Sequence, residues 1–313
     1  MTVLPLPTDC SPWSLGAPLY MPAHRSDLAA IANGEKLDFL RSMIFCTEDA
    51  VSLDDMALSL KHLAACLPDF APSNSRHRFI RPRNPKVLAK LLDLPGIERI
   101  DGFVLPKFTE QTAEAYFSLL RGTRFTVMPT LETREVFDIH AMQRLRERLL
   151  QPDIFPRILM LRIGGNDLLN LLGLRRPRGL TLYDTPLGLA VAQLVTVFKP
   201  YQFALSAPVF DYLNDTETLQ REISLDLAHG LIGKTAIHPK QVPTIEACYS
   251  VEPDDYDMAL NIVSANAPAV FKMHEAMCEV ATHGQWAATV LTRQHCYGLK
   301  CLNISGRHNA SHY

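Results

Sequence analysis

Two carboxylates stand just after apolar runs with no Cys or His beside them: Glu132 in Thr130-Leu131-Glu132-Thr133 and Asp167 in Gly164-Gly165-Asn166-Asp167. Brought together, such a pair makes a hard, oxygen-only site that suits Mg²⁺ or Mn²⁺, with waters and substrate oxygens completing the shell. Spacing alone favours plainer roles, a dipole-favoured acid at a helix start for Glu132 and a turn residue after two glycines for Asp167. Arg81, Arg83 and Asn84 form a compact donor cluster. The guanidinium fork grips carboxylate or phosphate at two points, and alternation puts Arg81 and Arg83 on one side of an extended segment. A surface salt-bridge cluster is the competing reading. Glu48 and Asp49 follow another apolar run, and His238 follows a third, where closing a strand suits it as well as catalysis. The loop Arg175-Arg176-Pro177-Arg178-Gly179 reads as a solvated stretch ahead of a cradle for a phosphate-rich tail.

Several familiar motifs are missing. Gly164-Gly165 lacks the GxGxxG pattern and the terminal Lys-Ser/Thr of a phosphate loop. Gly233-Lys234-Thr235 has Ala228 where a Walker ending needs glycine. There is neither a His-Glu-x-x-His pair nor a Gly-x-Ser-x-Gly elbow.

The elements that must position these groups alternate along the chain. Apolar runs at Ala17–Met21, Ser42–Cys46, Arg78–Arg81, Gly102–Leu105, Phe125–Met128, Ile158–Leu161, Gln202–Leu205 and Thr235–Ile237 read as strands buried on both faces. Helix-period stretches lie between them at Asp49–Cys66, Glu110–Arg121, Arg134–Leu149, Pro186–Phe198 and Leu219–His229. Eight strands alternating with helices predict a parallel α/β fold, and eight is the number that closes a (β/α)₈ TIM barrel. Chemistry in such a barrel collects at the C-terminal strand ends, where Glu48, Asp49, Arg81, Lys107, Glu132, Asp167 and His238 all fall. The barrel is expected over residues 1–254. Residues 255–313 are expected to add C-terminal helices, one long helix over Asp255–Glu279 and another over Gly284–Thr292, with Phe271, Met273 and Met277 as core. The polar tail Asn303–Tyr313 reads as frayed.

Composition excludes several classes. With 31 Lys and Arg against 33 Asp and Glu among 313 residues, the net charge of −2 gives no basic field for nucleic acid or an anionic membrane. The longest apolar runs fall short of the ~18 residues of a membrane span, and residues 1–22 lack the pattern of a secretory signal. Seven Cys, none in a CxxC, fit no disulfide framework or zinc site, so a soluble cytoplasmic protein with reduced thiols is expected.

Taken in order, seven motifs resemble the HpcH/HpaI aldolase and citrate lyase beta-subunit family, from about Leu19 to about Ala259. They are Leu19-Tyr20-Met21-Pro22, Phe45-Cys46-Thr47-Glu48-Asp49-Ala50-Val51, Ile80-Arg81, Asp101-Gly102-Phe103-Val104-Leu105-Pro106-Lys107, Leu131-Glu132-Thr133, Gly164-Gly165-Asn166-Asp167-Leu168, and Gly233-Lys234-Thr235-Ala236-Ile237-His238-Pro239. The closing Met277-Cys278-Glu279, His283 and Trp286-Ala287 look like a divergent C–C bond lyase branch often encoded in tellurium-resistance clusters.

The resemblance implies a TIM barrel that binds Mg²⁺ (or Mn²⁺) through Glu132 and Asp167. It implies that Arg81 grips a substrate carboxylate or carbonyl oxygen, with Arg83, Gly165 and Asn166 beside the substrate. Glu48 or Asp49 would position a metal-bound water. Members of the family make or break a C–C bond next to a carbonyl, on small anionic oxo- or hydroxy-acids and coenzyme A thioesters. Cleavage leaves an enolate, whose charge a divalent ion and Arg81 would stabilise. The resemblance also implies a homo-oligomer, trimer or hexamer, with Glu279 as a loosely aligned lid acid. Two departures surround the substrate: Cys46 stands where the family often has an acid, and Arg83 replaces the Asn of Arg-x-Asn, with Asn84 one residue later. The general base is left unassigned, and a Schiff base at Lys107 is disfavoured where a metal already supplies the electron sink. A thioester hydrolase on the same metal site and a catalytically silent binding barrel are the rival readings.

Overall fold

The computed structural model describes residues 11–72 and 76–300. In chain order its first unit contains β1 (Leu19–Pro22), α1 (Leu28–Asn33), β2 (Ser42–Cys46), α2 (Met56–Cys66), β3 (His77–Arg81), α3 (Pro85–Leu92), β4 (Gly102–Leu105) and α4 (Glu110–Leu120). These are followed by β5 (Thr126–Leu131), α5 (Ile139–Leu149), β6 (Leu161–Ile163), α6 (Gly165–Leu171), α7 (Leu187–Phe198), β7 (Leu205–Ser206), α8 (Thr216–Ala228) and α9 (Gln241–Cys248). The seven strands are parallel and lie side by side in sequence order. Their near-continuous burial is what a sheet covered by helices on one face and filled on the other requires.

The eighth expected strand, Thr235–Ile237, is reduced to single bridges, Ala207 to Lys234 on one side and Leu19 to Ala236 on the other. It still closes the ring: Ala236 N donates to Pro18 O at 2.9 Å, and Tyr20 N donates to Ala236 O at 3.1 Å. Buried charge holds this segment in place. The Lys234 ammonium lies 2.8 Å from Glu222 and 2.9 Å from Asp226, both on α8, and Arg176 also pairs with Glu222. Arg176 is therefore fully buried rather than part of a solvated loop, and the Walker-like Gly233-Lys234-Thr235 is a structural fastening.

Leu15, Ile44, Phe79, Val104, Met128 and Met160 form an apolar cluster drawn from β2 to β5 and the segments beside them, with Tyr20 packed against it. Register places a polar row nearby, Thr130 beside Arg162 and Arg162 beside Ser206, on β5, β6 and β7.

The described residues divide into two compact units, one up to Cys248 and one from Tyr249. The second contains α10 (Pro253–Val263), an antiparallel hairpin of β8 (Val270–Met273) and β9 (Ala276–Glu279), and α11 (Val280–Tyr297). The single long helix expected over Asp255–Glu279 is thus a helix followed by a hairpin, and the helix expected over Gly284–Thr292 is part of α11. Val251, Ala259, Ile262, Cys278, Ala287 and Val290 make its core. Phe271 and Met273 pack on that core, whereas Met277 is exposed. The tail Asn303–Tyr313 lies outside the described residues. No helix among the described residues is long and apolar enough to cross a membrane.

Candidate active site

The C-terminal ends of β2, β3, β5 and β6, with residues just after β7 and the eighth-strand segment, line one cavity of about 310 Å³, which is where barrel enzymes place their chemistry. Arg81, the last residue of β3, occupies its centre of charge. Its Nη2 lies 2.8 Å from Glu48 Oε2, 3.0 Å from Glu132 Oε1 and 3.2 Å from Asp49 Oδ2. Burial alone would lower the pKa of this guanidinium, but Tyr20, Glu132 and Glu48 lift it above its ordinary value, so the cation is permanent.

Glu132 leaves the end of β5 almost wholly buried and accepts from Lys107 N at 2.7 Å as well as from Arg81. Burial pushes its carboxyl above the usual carboxylate value, against the pull of Arg81. Asp167 sits in the first turn of α6, where its charge faces the helix N-terminus. It pairs with Lys107 Nζ at 2.8 Å, and the same ammonium reaches Glu48 Oε1 at 3.4 Å. Lys107 adopts a positive φ of 47°, rare for a side-chain-bearing residue, as its amide and ammonium turn toward the two acids. The glycines of the Gly-Gly-Asn-Asp turn answer a steric demand: a Cβ on Gly164 would stand 2.3 Å from Glu132 Oε2, and one on Gly165 2.8 Å from Pro208 Cβ.

The first acids of the site are adjacent, and Asp49 N donates to Glu48 Oε2 at 2.9 Å. Burial raises the Glu48 carboxyl to about 7, helped by its neighbour Asp49. Asp49 is held below its usual value despite its own burial, through its bond with Glu48 and the charges of Arg81 and Lys107. Cys46 lies buried beneath them, its Sγ accepting from Glu48 N at 3.4 Å, and burial raises its thiol pKa.

The remaining expected site residues are placed as follows. Asn166 lines the cavity and donates to Asp211 Oδ1 at 2.8 Å, while Gly165 lines it through its backbone. Arg83 donates to Glu48 O at 2.9 Å and to Val51 O, fastening the loop that carries Glu48 and Asp49 rather than lining the cavity. His238 accepts from Lys240 N in a local turn. Lys107 is a centre of the charge network without lining the cavity, whereas Tyr20, Thr130 and Arg162 line it, roles that sequence reasoning did not give them. Lys107 carried a signal in its position after an apolar run. Arg162 was hidden because the sixth strand was expected to end at Leu161.

An α/β barrel whose rim gathers buried carboxylates, an arginine and a lysine around one cavity has the form of a TIM-barrel enzyme. The chain belongs to the family C–C bond lyase of the TIM-barrel fold, which matches residues 9–299, and its enzyme class is carbon–carbon lyase. A (3S)-malyl-CoA thioesterase of Cereibacter sphaeroides (strain KD131) is 26% identical over 276 residues, 87% of this chain and 86% of that protein. Among solved structures, protein CitE from Mycobacterium tuberculosis, in complex with magnesium, acetoacetate and coenzyme A, aligns with a TM-score of 0.67. It is 19% identical, over 91% of this chain and 99% of that one. Haloferax volcanii malate synthase, in a magnesium and glyoxylate complex, aligns at a TM-score of 0.60 and 16% identity over 73% of each chain. These two likenesses concern the fold.

Proposed function

We propose that the protein is a Mg²⁺-dependent (or Mn²⁺-dependent) carbon–carbon lyase of citrate lyase beta type. Its substrate is a small anionic oxo- or hydroxy-acid, free or as a coenzyme A thioester. One observation carries this reading: Glu132, just after β5, and Asp167, in the first turn of α6 after the neighbouring β6, line the same cavity as the permanently charged Arg81. Their oxygen-only donor set fits a hard divalent cation. The Lys107 ammonium bridging Asp167 and Glu48 also marks the spot as one that gathers positive charge. Glu132 and Asp167 would hold the ion, which supplies Lewis acidity to a substrate carbonyl oxygen where enolate charge develops on C–C cleavage.

The chain's own residues do the rest. Arg81 presents a fixed cation whose orientation three carboxylates set, which favours charge that appears only as the bond breaks. The Glu48–Asp49 pair, with the Glu48 carboxyl raised by burial to about 7, can take up or release a proton beside that cation near neutral pH. Asn166, Gly164 and Gly165 also line the cavity.

Titration of Mg²⁺ or Mn²⁺ by calorimetry into wild type and a Glu132→Gln, Asp167→Asn double variant tests the site. Binding that disappears in the folded variant supports the reading, and no binding to folded wild type sinks it. The relation to the malyl-CoA thioesterase favours a second reading, hydrolysis of a thioester on the same residues. Free thiol released without a carbonyl fragment would mark that activity, and a carbonyl fragment marks the lyase.

A further inference from the structure

The buried cations of the first unit are, with one exception, well matched to their surroundings. Arg81, Arg176 and Lys234 each face at least two carboxylates. Arg78 donates to three backbone carbonyls, of Ala32, Ala71 and Arg99. Arg162 on β6 is different. It is 4% exposed, yet no carboxylate among the described residues lies within ion-pair distance of it. Its guanidinium donates to the Thr235 hydroxyl, lies 3.9 Å from the weak acceptor Met128 Sδ, and sits 5.5 Å from the centre of the Tyr20 ring. A full charge is thus set against one hydroxyl, a thioether and a ring face, with no carboxylate beside it and the cavity alongside. A buried cation so poorly matched is costly unless an anion completes it.

A second feature points the same way. Thr130, next to Arg162 in strand register and lining the same cavity, is 3% exposed, and its hydroxyl has no hydrogen-bond partner. Buried hydroxyls are ordinarily paired, so this one is in want of an acceptor. Thr130 lies two residues before Glu132 on β5, on the same strand face and about 7 Å deeper along the barrel.

We propose that Arg162, with the Thr130 hydroxyl beside it, forms a carboxylate-binding subsite at the base of the cavity, below Glu132 and Asp167. The inference rests on the lyase reading and deepens it, because it gives the substrate a carboxylate remote from its reacting carbonyl and points that carboxylate into the barrel. The guanidinium fork matches the planar two-oxygen edge of a carboxylate. A cavity of about 310 Å³ whose rim holds Asp49, Glu132 and Asp167 suits that compact, singly charged group better than a dianionic phosphate. Arg162 is then a specificity-determining residue. It selects acids with two anionic ends over monocarboxylates, and any coenzyme A moiety stays outside.

The test uses the full chain, with succinate as the two-ended probe and acetate as the one-ended control, titrated with and without Mg²⁺. Wild type is expected to bind succinate. Arg162→Met should weaken that binding by about tenfold or more while leaving acetate and Mg²⁺ binding unchanged. Because the cation has no internal carboxylate, and only the Thr235 hydroxyl and weak contacts would be lost, Arg162→Met should also raise, or leave unchanged, the melting temperature of the ligand-free protein. Thr130→Val removes only an unpaired hydroxyl, so it should keep full stability and still weaken succinate several-fold. Unchanged succinate affinity in either variant, or a wild type that binds Mg²⁺ but not succinate, would overturn the subsite. A wild type that binds succinate through Arg162 but takes up no Mg²⁺ would instead leave the subsite standing and remove the lyase reading.

Discussion

Three carboxylates share one guanidinium at the centre of the site, and the balance is asymmetric. Glu48 and Glu132 are buried, so removing Arg81 would leave two inward-facing acids without their main counter-charge. Breaking a buried pair by deleting one partner typically costs about 3–5 kcal/mol. Arg81→Met is therefore expected to lower the unfolding free energy by about that amount in denaturant titration and to abolish turnover. Arg81→Lys should recover part of the stability, since the three carboxylates all meet the single nitrogen Nη2, but not the turnover, since an ammonium has no second guanidinium nitrogen to offer a substrate oxygen. Gly164 offers a narrower probe. The Cβ of Gly164→Ala would stand 2.3 Å from Glu132 Oε2, so the carboxylate must move. Since Gly164 has an ordinary negative φ of −88°, the backbone itself tolerates alanine. Metal affinity should fall by about tenfold or more in calorimetry, with the far-ultraviolet circular dichroism unchanged.

Elements differ in how plainly their residues announced them. β2, β4, α4 and α7 lie within a residue of their expected bounds, because unbroken apolar runs and three–four spacing are strong local signals. α6 was invisible: its first residue is Gly165, and it begins where a phosphate-loop reading competed. The hairpin of β8 and β9 was read as helix for a clear reason. Its two turn residues, His274 and Glu275, adopt positive φ values of 45° and 60°, the geometry of a two-residue hairpin usually written Asn-Gly. The candidate rim residues were visible as polar residues after apolar runs. The interior cation Arg162 was not, since an arginine beside a strand end resembles any surface charge until neighbouring strands enclose it. The eighth strand was legible but short, and its position depends on the buried ion pairs between Lys234 and α8. Glu222→Leu removes the carboxylate that Arg176 and Lys234 share. A loss of about 3–5 kcal/mol is expected in denaturant titration, with early amide exchange at Ala236, whose N–H bond to Pro18 helps close the ring.

At the scale of the whole molecule, the acids gathered for chemistry work against the stability of the protein that holds them. Glu48 titrates from an ordinary value of 4.5 to about 7 in the folded chain, chiefly through burial and with Asp49, Arg81 and Lys107 as its charged neighbours. Between those two values the folded state holds a proton that the unfolded state has lost. Stability attributable to this group is therefore complete below pH 4.5, falls as pH rises, and is fully lost above about pH 7. The slope for one proton is about 1.4 kcal/mol per pH unit at its steepest. Asp27, held down to about 2 by Arg25, works in the opposite sense but only below pH 3.8, so it does not obscure the window. Denaturant titrations of metal-free wild type at intervals from pH 4.5 to 8 should show the decline, and Glu48→Gln should make it shallower while remaining folded, leaving the share that Glu132, also raised by burial, contributes. Parallel curves for the two proteins would show that Glu48 is ionised throughout, and that Arg81 outweighs burial in setting its charge.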